Sequence, residues 1–113
     1  MIIKGSRLMT LDEVLEYKTM KLEEIRNSIE LSYILDTIIQ DSIKDVIDTN
    51  PTIDHVDITI KKYDWKGIDP EFIAHILNNE YGYKNGYKKA QVISDGIKSP
   101  VLRIPLTKYN SKI

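Results

Sequence analysis

Apolar residues recur at helical spacing through residues 10–49, a stretch that contains neither proline nor glycine. Thr10 and Glu13 have the spacing of a capping box, which indicates a helix start, and Pro51 indicates an end, because the residue before a proline disfavours helical geometry. One straight helix over these residues would be about 57 Å long. A domain of this size has a radius of gyration of only about 13 Å. The helix must therefore break, or project and be covered by a partner.

Two apolar stripes divide this helical stretch, and they are offset by about two residues, roughly half a helical turn. The first stripe comprises Leu11, Val14, Leu15, Leu22, Ile25 and Ile29. The second comprises Leu31, Ile34, Leu35, Ile38, Ile39, Ile43, Val46 and Ile47. A break near Asn27 and Ser28 would let both halves pack on one sheet. An unbroken helix would instead need neighbours on opposite sides at its two ends, and the pattern leaves both possibilities open.

The remainder of the chain has the pattern of a β-α-β-β module. Strands are predicted over residues 56–61, 90–94 and 101–106. Asp69 and Pro70 are typical of a helix start and Gly82 of a helix end, while Asp95-Gly96 is a turn signal between the last two strands. The predicted fold is α+β: a long helix or helix pair, then β-α-β-β with a small mixed sheet. In that sheet the strands joined by the helix would be parallel and neighbouring.

Length and composition predict one soluble domain. The 113 residues divide into a helical segment (10–49), the β-α-β-β module (53–106) and a tail (107–113). The 42% hydrophobic and 29% charged content is ordinary for a globular chain. Cysteine is absent, which excludes disulfides and thiolate metal sites. No apolar run is long enough to span a membrane, and the first five residues do not resemble a cleaved signal peptide. We therefore expect a cytoplasmic protein.

Charge is unevenly distributed along the chain. Residues 1–50 carry 6 basic and 10 acidic side chains, whereas residues 51–113 carry 10 basic and 7 acidic ones. A basic second half joined to an acidic helical half indicates either an anionic ligand or charge matching between subunits of an oligomer.

Aromatic and basic residues alternate in two segments, 61–67 and 81–89. Flat rings offer stacking surfaces and lysines neutralise phosphate, a combination typical of nucleotide binding. A strand arginine is also well suited to clamp an anion, or to pair with an acid of the long helix. The predicted ligand-binding residues are Trp65, Tyr83, Lys84, Lys88 and Arg103. The competing interpretation is that Trp65 and Tyr81 cap the core and the lysines are merely solvated.

No pattern for catalysis or metal binding is visible. The two histidines, His55 and His75, lack the spacing of a metal site. The nearby carboxylates Asp54, Asp57 and Asp64 fit solvated positions better than an acid/base pair. We therefore expect no catalytic residue, no metal, no cofactor and no enzyme activity.

The order of elements resembles a loose class of small phage-encoded accessory proteins. The matching parts are residues 69–77, the Tyr81-Gly82-Tyr83-Lys84 element and residues 101–106, and the Ile- and Lys-rich, Ala-poor composition resembles products of AT-rich genomes. Some proteins of this class sequester nucleotide immune signals without cleaving them. The resemblance implies a non-enzymatic homo-oligomer in the host cytoplasm that binds a nucleotide-derived anion in an anti-defence role.

Two other functions remain open. The long helix could dock onto another protein, which would make the chain an interaction module or inhibitor. The chain could also be a small nucleic-acid-binding regulator, although the acidic N-terminal half argues against extended nucleic acid.

Overall fold

The computed structural model describes residues 7–108. Its helical elements are α1 (Leu11–Arg26), α2 (Ile29–Tyr33), a π-helical segment (Ile34–Gln40), α3 (Asp41–Thr49), a 3-10 turn (Ile60–Lys62) and α4 (Pro70–Glu80). The strands are β1 (His55–Thr59), β2 (Gln91–Ile93) and β3 (Val101–Pro105). The α+β class is confirmed. The N-terminal residues used for the signal-peptide expectation, and residues 109–113 of the predicted tail, lie outside the described residues.

The long helical stretch breaks near Asn27 and Ser28, one of the two possibilities that the sequence left open. α1 ends at Arg26, and Ser28 leaves helical geometry with φ −82° and ψ 149°. The Ser28 hydroxyl accepts from the Leu31 backbone N–H at 3.1 Å and donates to the Ile25 carbonyl at 2.7 Å. The accepted hydrogen bond makes Ser28 the N-cap of α2. The donated one pairs a carbonyl in the last turn of α1, so one side chain serves both helix ends.

Helix α1 projects from the rest of the chain. It begins with the predicted capping box, since the Thr10 backbone N–H donates to Glu13 Oε1 at 3.0 Å and the Glu13 backbone N–H donates to Thr10 Oγ1 at 3.3 Å. None of its 16 residues is buried. The described chain accordingly measures 61 × 36 × 32 Å. The sequence offered a break in the helix or a projecting helix as alternatives. In the structure the helical stretch breaks and its first part, α1, also projects.

The second apolar stripe is wound partly as a π-helix rather than as the regular helix that its sequence predicts. Residues Ile34, Ile38 and Ile39 are fully buried and Ile43 is half-buried against them. Ile38, Ile39 and Ile43 follow Ile34 by four, five and nine residues. The wider turn of a π-helix places that spacing on one side, so the winding matches the packing of these four isoleucines into the core.

The three strands form an antiparallel sheet in the order β1-β3-β2. The expectation of a mixed sheet is wrong, because β3 lies between β1 and β2 and pairs antiparallel with both. The two strands joined by α4 are therefore not neighbours. Strand β1 also ends at Thr59, two residues before the predicted end, because Ile60 starts the 3-10 turn.

Helix α4 covers one face of the sheet and closes its β2 end. The Asp69 carboxylate caps the helix by accepting from the Glu71 backbone at 3.0 Å, and Gly82 follows its end at φ +80°, as predicted. The Asn78 side chain donates to the Ala90 carbonyl at 2.9 Å and accepts from the Ala90 backbone N–H at 2.7 Å. One amide thus satisfies both backbone groups of the residue before β2.

Candidate functional site

The outer face of the sheet, opposite the helices, carries a row of polar side chains. Strand alternation buries Val56, Ile58, Leu102 and Ile104 on the inner face. It places Asp57 of β1, Arg103 of β3 and Gln91 of β2 on the outer face. The register aligns these three residues across the sheet, with Arg103 in the middle.

Arg103 and Asp57 form a two-pronged ion pair. Arg103 Nε lies 2.8 Å from Asp57 Oδ1, and Nη2 lies 2.9 Å from Oδ2. Hydrogen bonding from the guanidinium lowers the pKa of Asp57, and the carboxylate raises the pKa of Arg103. The partner of Arg103 is therefore a neighbouring strand residue and not an acid of the long helix, because the two side chains are directly opposite in the ladder.

His55 lies between two carboxylates at the start of β1. Its Nδ1 is 2.7 Å from Asp54 Oδ1, and its Nε2 is 3.8 Å from Asp57 Oδ2. Because an ionised carboxylate only accepts hydrogen bonds, we assign the ring proton to Nδ1. The hydrogen bond from His55 lowers the pKa of Asp54. Asp54, His55, Asp57 and Arg103 thus form one row of polar and charged side chains along the sheet.

A tight turn borders this row of side chains on the side of β2. Asn85 and Lys88 exchange backbone hydrogen bonds at 2.9 and 3.2 Å, and Gly86 adopts φ +63° between them. The Asn85 side chain donates to the Thr107 carbonyl, and the Lys88 ammonium donates to the Thr107 hydroxyl at 2.8 Å. These contacts hold the turn against the chain after β3 and present Tyr87, which is 89% exposed.

Together these groups form a surface cleft of about 220 Å³, called here the sheet cleft. It is lined by Asp54, His55, Tyr87, Lys88, Lys89, Gln91, Arg103 and Pro105. Its three cationic side chains are opposed by Asp54 and by Asp57, the partner of Arg103. The balance is mildly positive, and the rim carries an aromatic ring, so the cleft can accept a small anion with a flat group attached.

The structure brings together two of the five predicted ligand-binding residues. Lys88 and Arg103 both line the sheet cleft. Lys84 is exposed but does not line it. Tyr83 is half-buried against the core, where its backbone N–H also donates to the Leu77 carbonyl at 3.2 Å.

Trp65 is a core residue rather than a stacking surface, so its assignment to the site is corrected here. It is 8% exposed, and its indole Nε1 donates to the Ile60 carbonyl at 2.7 Å. Its ring meets Tyr63 edge-on at 6.4 Å between centroids. Both the face and the polar atom of the indole are used inside the domain, which matches the competing interpretation of this residue.

Sequence reasoning set aside or overlooked several residues of the cleft. The sequence pattern predicts solvated or structural roles for Asp54 and His55, and it does not single out Gln91, Tyr87 or Lys89 as binding residues. Strand alternation alone places His55 on the same face as Arg103. The neighbours of Arg103 could be named only once β3 was known to lie between β1 and β2.

The chain carries few other signs of a specific chemistry. Within residues 7–108, no group of three or more His, Cys, Asp or Glu residues could hold a metal ion. None of the helices in this range has the length and apolar content needed to cross a bilayer. No family model, curated protein or solved structure matches the chain.

Proposed function

We propose that this chain is a non-enzymatic, homo-oligomeric protein that sequesters a small nucleotide-derived anion in the sheet cleft. The observation that carries the proposal is the convergence of Lys88, Lys89 and Arg103 beside the exposed ring of Tyr87. Cations that line one cleft beside an aromatic ring have the chemistry that binds a phosphate attached to a base.

The cations of the cleft retain donors for a ligand. A guanidinium has five N–H groups, and Arg103 directs its Nε and one Nη2 hydrogen to Asp57. Asp57 also holds the guanidinium in a fixed orientation, which reduces the entropy lost on binding. Lys88 uses one of its three ammonium hydrogens on Thr107. Both side chains can therefore donate to an anion without breaking these contacts.

The charge balance favours one phosphoryl group over a polyanion. Asp54 and Asp57 would repel a second phosphate placed along the row, because like charges a few ångströms apart are unfavourable. The excess of acidic over basic side chains in residues 1–50 also disfavours an extended nucleic acid. A nucleic-acid-binding regulator is therefore the less favoured function, and it predicts binding to linear DNA or RNA that weakens steeply with salt.

Thermal shift and calorimetric titration against inorganic phosphate, mononucleotides and cyclic dinucleotides test the proposal. A ligand present at about 100 times its dissociation constant stabilises the fold by about 2.7 kcal/mol. Replacing Lys88 and Lys89 together by alanine should abolish the shift. The matched control replaces Lys84 and Lys98, two exposed lysines outside the cleft, and should leave it unchanged. Absence of binding to every ligand, or equal loss in the control, refutes the proposed site.

Sequestration also predicts that the ligand is returned intact. After prolonged incubation and heat release, chromatography should recover the bound nucleotide unchanged and in the amount that was loaded. Progressive loss of the nucleotide would mean that the chain is an enzyme.

A second function is favoured by one specific observation, the exposed apolar side chains of α1. Leu11 is 71% exposed and Leu15 is 49% exposed, so α1 could dock onto a different protein as an interaction module or inhibitor. Light scattering discriminates the two functions. The proposed oligomer requires assembly of the purified chain alone, whereas an interaction module would be monomeric until its partner is added.

A further inference from the structure

Helix α1 presents an apolar stripe that, within residues 7–108, is left largely exposed. The stripe continues past the helix end to Ile29, which is 84% exposed. Only Leu22 and Ile25 are half-buried, near the point where α1 meets the rest of the chain. Ile25 packs against the core, but none of the 16 residues of α1 is fully buried, so packing within the described residues stabilises this helix little.

The stripe has the spacing of a helix that packs along another helix. A seam of positions separated alternately by four and three residues, the repeat that faces a partner helix, includes most of this stripe, with Lys18 between Leu15 and Leu22. The seam positions within the helix are Leu11, Leu15, Lys18, Leu22 and Ile25. Lys18 is the one polar residue among them, and its placement discriminates between possible partners.

Charge favours one of the two possible orientations of a pair of α1 helices. In a parallel pair each seam position faces its own copy, so Lys18 would meet Lys18 of the partner subunit. The flanking positions would bring Lys21 beside Arg26 of the partner subunit, a second like-charge contact. Like charges across a helix seam oppose association.

An antiparallel pair removes the Lys18–Lys18 repulsion at the seam and the flanking repulsion between Lys21 and Arg26. With residue 20 of both helices at the same level, Lys18 lies beside Leu22 of the partner subunit and Leu15 beside Ile25 of the partner subunit. Asp12 then lies beside Arg26 of the partner subunit, once on each side of the pair. The remaining like-charge contact is between the two Lys21 side chains, each of which already pairs with Glu24 of its own helix at 3.1 Å.

Arg26 is available for this contact. Its Nη1 and Nε lie 3.4 and 3.5 Å from Glu23 and Glu80 of its own chain, and its side chain remains 40% exposed. We propose that α1 pairs in antiparallel orientation with α1 of a second copy of this chain. The inference rests on the homo-oligomeric part of the proposed function and specifies the surface and the orientation.

Distances between spin labels test the orientation directly. The chain has no cysteine, so a single introduced cysteine is a unique attachment point. Met20→Cys and Glu13→Cys place labels on the same outer side of the helix, seven residues apart. In the antiparallel pair the two labels at position 20 are level, whereas those at position 13 are offset along the axis by about 21 Å. Equal distances at both positions indicate a parallel pair and overturn the inference.

A seam variant tests the surface itself. Leu15→Glu should raise the dimer dissociation constant by about 30-fold or more, the effect of losing a central apolar contact. Glu16→Gln, one residue away and off the seam, should leave it unchanged. Because α1 has no buried residue, circular dichroism should show the domain still folded. A Leu15→Glu protein that remains dimeric refutes this inference alone, whereas a monomeric unmodified chain refutes both it and the homo-oligomer.

Discussion

The side chain of Asn78 provides a quantitative test of how α4 holds the edge of the sheet. Its amide makes two hydrogen bonds with the backbone of Ala90, at 2.9 and 2.7 Å, and Ala90 is only 2% exposed. Replacing Asn78 by alanine removes both partners and leaves a buried N–H and carbonyl without these bonds. At about 1–3 kcal/mol for each buried group left unpaired, the expected loss in free energy of unfolding is about 2–6 kcal/mol.

The assay is urea or thermal unfolding followed by circular dichroism. Each kcal/mol corresponds to about 4–8 °C in melting temperature for a domain of this size. Alanine also favours the helix more than asparagine does, by up to about 0.7 kcal/mol, and this offsets part of the loss. Asn79→Ala is the matched control, because Asn79 is the next residue of α4 and is exposed.

Asn78→Asp separates the two bonds. Aspartate can still accept from the Ala90 N–H, but it cannot donate to the Ala90 carbonyl and would repel it. We expect this variant to be destabilised as well. If Asn78→Ala is at least as stable as Asn79→Ala, the two bonds do not secure β2, and the account of this edge is refuted.

Three further predictions concern single contacts. Arg103 lowers the pKa of Asp57, so the ion pair stabilises the fold fully above the ordinary pKa of 3.8, and this stabilisation is lost as the pH falls through the lowered pKa. Asp57→Asn should therefore lower the free energy of unfolding by about 0.2–1 kcal/mol at pH 7, because the pair is partly exposed. Urea unfolding at low pH should show the difference between this variant and the unmodified chain disappearing. Trp65→Phe should cost about 1–3 kcal/mol by unfolding, through the lost bond to Ile60 and the space left behind, while ligand affinity stays unchanged in titration. Ser28→Ala should cost about 0.5–2 kcal/mol and speed amide exchange in residues 29–33, whereas Ser28→Asp should not.

Local signals along the chain predicted most of the helix ends. The capping box at Thr10, the break at Ser28, the Asp69 cap and the Gly82 end all depend on side chains that bond to backbone within a few residues. Such contacts are specified by neighbours in sequence, so they are readable without the fold. The same holds for the alternation in β1, which correctly separated Val56 and Ile58 from the polar side chains between and beside them.

The candidate site was only partly predictable, because its members come from segments far apart in sequence. Arg103 was selected for its own chemistry, but its partner Asp57 is 46 positions away and became adjacent only through the strand order. Trp65 was misassigned because a tryptophan among lysines has the same pattern whether its ring is exposed or buried. The carbonyl of Ile60, which accepts its indole N–H, is placed there by the 3-10 turn after β1.

The sequence by itself determined the α+β class, the positions of the helix caps and the presence of an apolar stripe on α1, because each depends on spacing between nearby residues. Only the tertiary structure decided the antiparallel strand order, the π-helical winding of Ile34–Gln40 and the grouping of Lys88 with Arg103 in one cleft. The physical reason is that these features depend on which distant surfaces pack together. The insertion of β3 between β1 and β2 is the clearest case, since it set the neighbours of Arg103 and so created the site.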